Sequence, residues 1–212
     1  MQKIFWDEPY KKTLITRVSE VNFDRILLEE TIAFSFSGGQ ESDEATIHGL
    51  PIIDSEKVGN LIYYRLSAAH GLAVGDEVIM EINWERRYRL MRLHFAAELI
   101  LELVKRKLNL KKIGAHIAEA KARIDFVYDK NISHLFEELL VQYNEIIKQD
   151  LSIITGISDI EKQRRFWEIE GFSKVSCGGT HVRSTGEVGY VILKRVNIGS
   201  GKERIEIRLK DS

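Results

Sequence analysis

From Arg87 to Leu108 the chain runs without a glycine or a proline. Apolar residues crowd this stretch: Leu90, Met91, Leu93, Phe95, Ala96, Ala97, Leu99, Ile100, Leu101, Leu103 and Val104. Such a run is a long helix, and because it is apolar on more than one face it must be largely buried. It ends in a basic stretch from Lys105 to Lys112.

The chain before this helix is of another kind. Thr13–Val18, Arg25–Leu28, Thr31–Phe36, Ala45–Ile47, Leu61–Leu66 and Glu77–Ile82 are short β-rich runs, with turn signals at Gly38-Gly39 and Gly75-Asp76. That pattern predicts a small barrel or sandwich. After the helix, Lys121–Tyr128 reads as a strand. Ser133 reads as the N-cap of a helix to about Gln149, with Glu137 and Glu138 in its early turns. Ile160–Glu170 reads as a third helix closed by Gly171. Gly189–Val196 and Glu203–Leu209 flank Gly199-Ser200-Gly201 as a hairpin. The domain boundary falls near residue 86, with β structure in 1–86 and α+β in 87–212.

A length of 212 residues suits one large domain or two small ones. Either buries a real core, since a chain of this size hides about 70% of its unfolded surface. The 31 Lys and Arg against 32 Asp and Glu leave a net charge of −1, so any nucleic-acid surface must be local. Composition excludes disordered, collagen-like and low-complexity classes. The lone Cys177 permits no intrachain disulfide and fits a reducing compartment. No stretch approaches the ~20 apolar residues of a membrane span, and the first residues lack a signal peptide's apolar run. The expectation is a soluble cytoplasmic protein without a membrane partner.

Two pairs of side chains can carry chemistry. His94 and Glu98 lie four apart on the long helix and share a face with Leu90, Ala97 and Leu101. On a buried face they must be paired or ligated. Taken alone, the simpler reading is an ion pair or a satisfied core histidine. Cys177-Gly178-Gly179-Thr180-His181 places a thiol and an imidazole four apart on a chain that two glycines let bend sharply. Thiolate, imidazole and carboxylate are all zinc ligands, and one pair from a helix with one from a loop can enclose a tetrahedral ion. Cys177 also reads as a buried small hydrophobe, and Gly178-Gly179 as a tight turn.

Residues 177–189, Cys-Gly-Gly-Thr-His-Val-Arg-Ser-Thr-Gly-Glu-Val-Gly, resemble the hallmark of the alanyl-tRNA synthetase editing domain and its freestanding relatives, the AlaX proteins. The stretch from Asn83 to His94 resembles the approach to that family's first zinc motif, and Ala122–Phe126 a third family stretch. Phe36-Ser37-Gly38-Gly39-Gln40 resembles the glycine-rich motif of the medium-length forms. The resemblance covers nearly the whole chain. It implies an α+β architecture: a small N-terminal β-barrel domain at 1–86, then an editing domain of the threonyl/alanyl-tRNA synthetase second-additional-domain type at 87–212.

The resemblance also implies an activity: zinc-dependent deacylation of tRNA(Ala) charged with serine, in some members with glycine, through its acceptor arm. The length leaves no room for a synthetase's activation domain. The family's first motif is His-x-x-x-His, whereas here it is His94-Phe95-Ala96-Ala97-Glu98. His94, Cys177 and His181 carry over as ligands by position, and Glu98 stands in the place of the fourth. Glu98 is either a zinc ligand or a free general base over a three-ligand ion, or else it marks a site with weakened zinc and lost activity. In that last case the chain is a non-hydrolytic tRNA-binding or structural zinc protein of the same fold. Thr180 is a candidate catalytic residue that lends a hydroxyl or backbone group to the pocket, or else only caps its turn, and Gly38, Gly39 and Gln40 either shape the amino-acid pocket or form a plain hairpin turn. Lys105–Lys107, Lys111, Lys112, Arg86, Arg87, Arg89, Arg92, Arg164 and Arg165 supply local positive charge, which reads as a solvated face or, in a tRNA binder, as a surface for phosphates.

Overall fold

A computed structural model describes residues 1–210. In chain order the elements begin with β1 (Gln2–Lys3), a 3-10 turn at Ile4–Trp6, β2 (Thr13–Asn22), β3 (Arg25–Leu28) and β4 (Glu30–Thr31). Then come β5 (Ala45–Ile47), β6 (Leu50–Pro51), β7 (Asp54–Val58), β8 (Leu61–Arg65), β9 (Glu77–Ile82) and α1 (Trp84–Leu108). β10 (Lys112–Ile117), β11 (Ala122–Val127), a 3-10 turn at Ile132–Leu135 and α2 (Phe136–Gln149) follow. The chain continues through β12 (Ile154–Asp159), β13 (Arg164–Ile169), β14 (Ser173–Ser176), α3 (Thr185–Val188), β15 (Val191–Asn197) and β16 (Lys202–Leu209). Contacts divide it into two units, one of Met1–Ser37 with Glu41–Tyr88 and one of Gly38–Gln40 with Arg89–Ser212. No described helix is long and apolar enough to cross a membrane.

The first unit holds a seven-stranded sheet in the order β6-β5-β9-β2-β3-β8-β7, antiparallel throughout, and a short parallel pair, β1-β4. Strict alternation in β9, with Val78, Met80 and Ile82 inward, shows why these residues make a one-face strand. Residues 32–36 are not a strand. Phe34 is pinned instead by its N–H donating to Asp43 Oδ2 at 2.6 Å. Asp43 in turn forms a fully buried ion pair with Arg87, whose Nε donates to Oδ1 at 2.8 Å. Arg87 also donates to the Ile32 and Pro9 carbonyls, so every charge it buries is met. Arg86 pairs with Glu41 at 2.8 Å. Neither arginine is therefore the free phosphate ligand that the sequence suggested.

In the second unit, β10-β11-β16-β15 form one antiparallel sheet and β12-β13-β14 another. α1 is buried on almost every face from Leu90 to Val104, as its composition demands. Two sequence expectations fail here. Ile160–Glu170 is no helix: Arg165, Trp167 and Ile169 alternate inward along β13, and Gly171, at φ +72°, turns the chain into β14. Its period of two is the strand signal, and Gly171 serves a hairpin rather than a helix end. The cap before α2 is Asn131, whose side chain accepts from Ser133 N–H, with a 3-10 turn between cap and helix.

Candidate metal centre

α1 presents His94 and, one turn on, Glu98. The other pair follows β14. Cys177 N–H donates to the Arg165 carbonyl at 2.9 Å, which anchors the loop that carries Cys177 and His181. The sulfur stands 3.4 Å from Nε2 of both His94 and His181. These three donor atoms all lie within 4.8 Å of one another. Glu98 Oε1 lies 3.6 Å from His94 Nε2 and 3.9 Å from the sulfur, at the rim of that trio. Thus His94, Cys177 and His181 meet at one place, with Glu98 at its edge.

Three of the donor spacings match those around a tetrahedral ion. Donors bound to zinc at 2.0–2.3 Å across a tetrahedral angle stand roughly 3.3–3.8 Å apart. The two sulfur–nitrogen distances and the nitrogen–oxygen distance fall in that range, and the sulfur–oxygen distance just exceeds it. The donor chemistry, two imidazoles, a thiol and a carboxylate, also suits zinc.

Electrostatics favour the ligating form of the thiol. Burial works against a Cys177 thiolate, but the charges on His94 and His181 bring its pKa down to about 6. Burial alone would depress His94; the Cys177 charge and then Glu98 overcome it and lift the metal-free imidazole to about 10. Burial likewise opposes the Glu98 charge, yet hydrogen bonds and charge from His94, aided by Trp167, hold it at about 2.

Trp167 is the residue that sequence reasoning missed. Its indole N–H donates to Glu98 Oε2 at 2.8 Å, so the carboxylate has a partner other than an ion. Sequence spacing gave no signal for it, because Trp167 sits 69 residues away on a segment read as a helix. Phe95 packs edge-on against both Trp167 and the His181 ring.

The Gly38–Gln40 turn also reaches the centre. Gln40 is fully buried, and its Oε1 lies 2.7 Å from His94 Nδ1. Thr180 is buried too; its hydroxyl accepts from Gln40 Nε2 at 2.9 Å and its N–H donates to Oε1 at 3.2 Å. Gly38 and Gly39 both have positive φ, +61° and +92°. Among the described residues His181 Nδ1 is buried without a partner. Of the other cations, Arg89 and Arg92 donate to the Glu119 and Val188 carbonyls, and Arg165 is buried. Lys105, Arg106, Lys107, Lys111, Lys112 and Arg164 are exposed.

Residues 165–206 match the family described as the threonyl and alanyl tRNA synthetase second additional domain. The alanyl-tRNA editing protein AlaX-M of Pyrococcus horikoshii is 32% identical over 99% of this chain and 98% of its own length. Alanine–tRNA ligases of Methanococcus aeolicus and Aeropyrum pernix are 29% and 30% identical over 96% and 97% of this chain. The chain spans only 25% and 26% of those ligases' lengths.

Proposed function

The chain belongs to the alanyl-tRNA editing protein AlaX family, and from that premise we propose that it hydrolyses the ester of mischarged tRNA(Ala), chiefly with serine and also with glycine. The observation that carries this reading is the convergence of His94, Cys177 and His181, from two distant segments, with their donor atoms within 4.8 Å of one another and Glu98 Oε1 3.6 Å from His94 Nε2. The chemical need is plain. A site built for alanine cannot strongly reject serine, which adds only a hydroxyl, so fidelity requires a second, hydrolytic site.

We read His94, Cys177 and His181 as holding a zinc ion, with Glu98 Oε1 as the fourth donor. Bound zinc supplies a positive centre that polarises an ester carbonyl or a water molecule. Cys177 enters as the thiolate, which its two imidazole neighbours already favour. Trp167 fixes the outer oxygen of Glu98 and so leaves Oε1 turned to the donors. The exposed Lys111, Lys112 and Arg164 neutralise acceptor-arm phosphates, which makes binding salt-dependent. In the same reading residues 1–86 are a small barrel domain and 87–212 the editing domain, and the protein works in the cytoplasm, where Cys177 stays reduced.

The Trp167 contact leaves room for a second role for Glu98, although it makes the carboxylate a weaker base. With its charge already met, the carboxylate need not ligate and can take a proton from water beside a three-ligand ion. Glu98→Ala separates the roles. For a ligand, zinc content and seryl-tRNA(Ala) deacylation fall together. For a base, zinc stays and turnover drops about 10²–10⁴-fold. Full zinc with full activity rejects both.

A further inference from the structure

The amide of Gln40 does not face outward as a pocket residue would. Thr180 N–H can only donate, so the atom it meets at 3.2 Å is the Gln40 oxygen. The amide nitrogen then faces Thr180 Oγ1, as observed at 2.9 Å. The orientation of the group is thereby fixed without appeal to His94. The oxygen's second lone pair lies 2.7 Å from His94 Nδ1, and an acceptor there requires Nδ1 to carry its proton. When the ring gives up its second proton to a metal, it is therefore the Nε2 lone pair that is freed, on the side of the Cys177 sulfur.

We propose that Gln40 is a positioning residue of the metal centre, which fixes the tautomer and ring angle of His94 so that Nε2 faces the ion. The inference rests on the metal reading above. Two glycines from two separate motifs make room for this one amide. A Cβ on Gly39 would stand 2.6 Å from the Ala115 carbonyl oxygen, and Gly39 itself accepts from Ile117 N–H at 2.7 Å, so the turn is clamped to the β10 edge. A Cβ on Gly179 would stand 2.7 Å from Gln40 Oε1. His181 Nδ1 has no comparable anchor among the described residues, so Gln40 holds the one imidazole that is oriented from outside.

The test compares Gln40→Met with Gln40→Glu by chelator competition for zinc and by the thiolate band of the cobalt(II) form. Methionine keeps the volume and loses both acceptor positions; zinc affinity should fall by about 10–100-fold. Glutamate restores the two accepted hydrogen bonds while losing the donation to Thr180, and should bind zinc as tightly as the wild type. A merely structural Gln40 would be damaged by both changes. Methionine at wild-type affinity, or glutamate no better than methionine, overturns the proposal. Nitrogen NMR of the zinc-loaded wild type needs no variant: it should show a protonated His94 Nδ1, and a metal-bound Nδ1 overturns the proposal as well. A wild type that takes up no zinc removes the metal reading and this inference together. Tight wild-type zinc with an indifferent Gln40→Met removes only this inference.

Discussion

Gly178 and Gly179 stand side by side in the sequence and should respond to alanine in opposite ways. A Cβ at Gly178 meets open space, and its φ is ordinary. A Cβ at Gly179 stands 2.7 Å from Gln40 Oε1 and nearer still to Cε1 and Nδ1 of His94, well inside the 3.4–4 Å of ordinary contact. The His94 ring cannot yield freely: Gln40 holds one edge, Cys177 and Glu98 face the other, and His181 packs against it with ring centroids 4.9 Å apart. Forcing a methyl into such a site costs about 1–3 kcal/mol. For a chain of this size that lowers Tm by roughly 2–12 °C. The ring must retreat by about 1.4 Å or more to restore contact distance, several times the ±0.2 Å within which metal–ligand distances hold. Gly179→Ala should therefore lose zinc affinity by more than the about 10–100-fold of an outer-partner change. Gly178→Ala should stay within about 0.5 kcal/mol of wild type. Differential scanning calorimetry and chelator competition measure both. A Gly179→Ala protein with unchanged Tm and zinc affinity would refute the reasoning.

Trp167→Phe keeps most of the packing but removes the donor to Glu98 Oε2; losing a hydrogen bond to a buried charge costs about 1.5–3 kcal/mol. Because Glu98 is depressed to about 2 in the metal-free fold, its stabilisation is present above its ordinary 4.5 and lost as pH falls toward 2. The variant should thus unfold in acid at a higher pH than wild type, and coincident acid transitions would contradict the contact. Metal-free Cys177 should give a thiolate absorbance with a midpoint near pH 6 rather than 9. The stability that its thiolate contributes is present above 9 and lost as pH falls through about 6; a midpoint near 9 would show that the imidazoles do not reach it.

The sequence was legible where chemistry depends on short spacing. The pairs at 94 and 98 and at 177 and 181 declare themselves, and the apolar run that becomes α1 could be nothing but a buried helix. It was illegible where partners come from far away. Trp167 was hidden twice, by its distance from Glu98 and by charged residues between Ile160 and Glu170 that imitate a helix surface. Alternate burial of Arg165, Trp167 and Ile169 decides that segment, and an arginine as an inward residue conceals the period. Arg86 and Arg87 read as part of a basic patch because Glu41 and Asp43, more than 40 residues earlier, are invisible as their partners. In the sequence Gln40 reads as part of a glycine turn, and only the Thr180 N–H reveals which way its amide faces.

The most direct measurement is deacylation of labelled seryl-tRNA(Ala) by purified protein, with metal content determined on the same sample. One zinc per chain, hydrolysis that stops on chelation and returns with added zinc, and no hydrolysis of alanyl-tRNA(Ala) are the predicted results. Hydrolysis that persists after chelation has removed all metal, or a zinc-loaded protein that binds seryl-tRNA(Ala) and releases no serine, would contradict it.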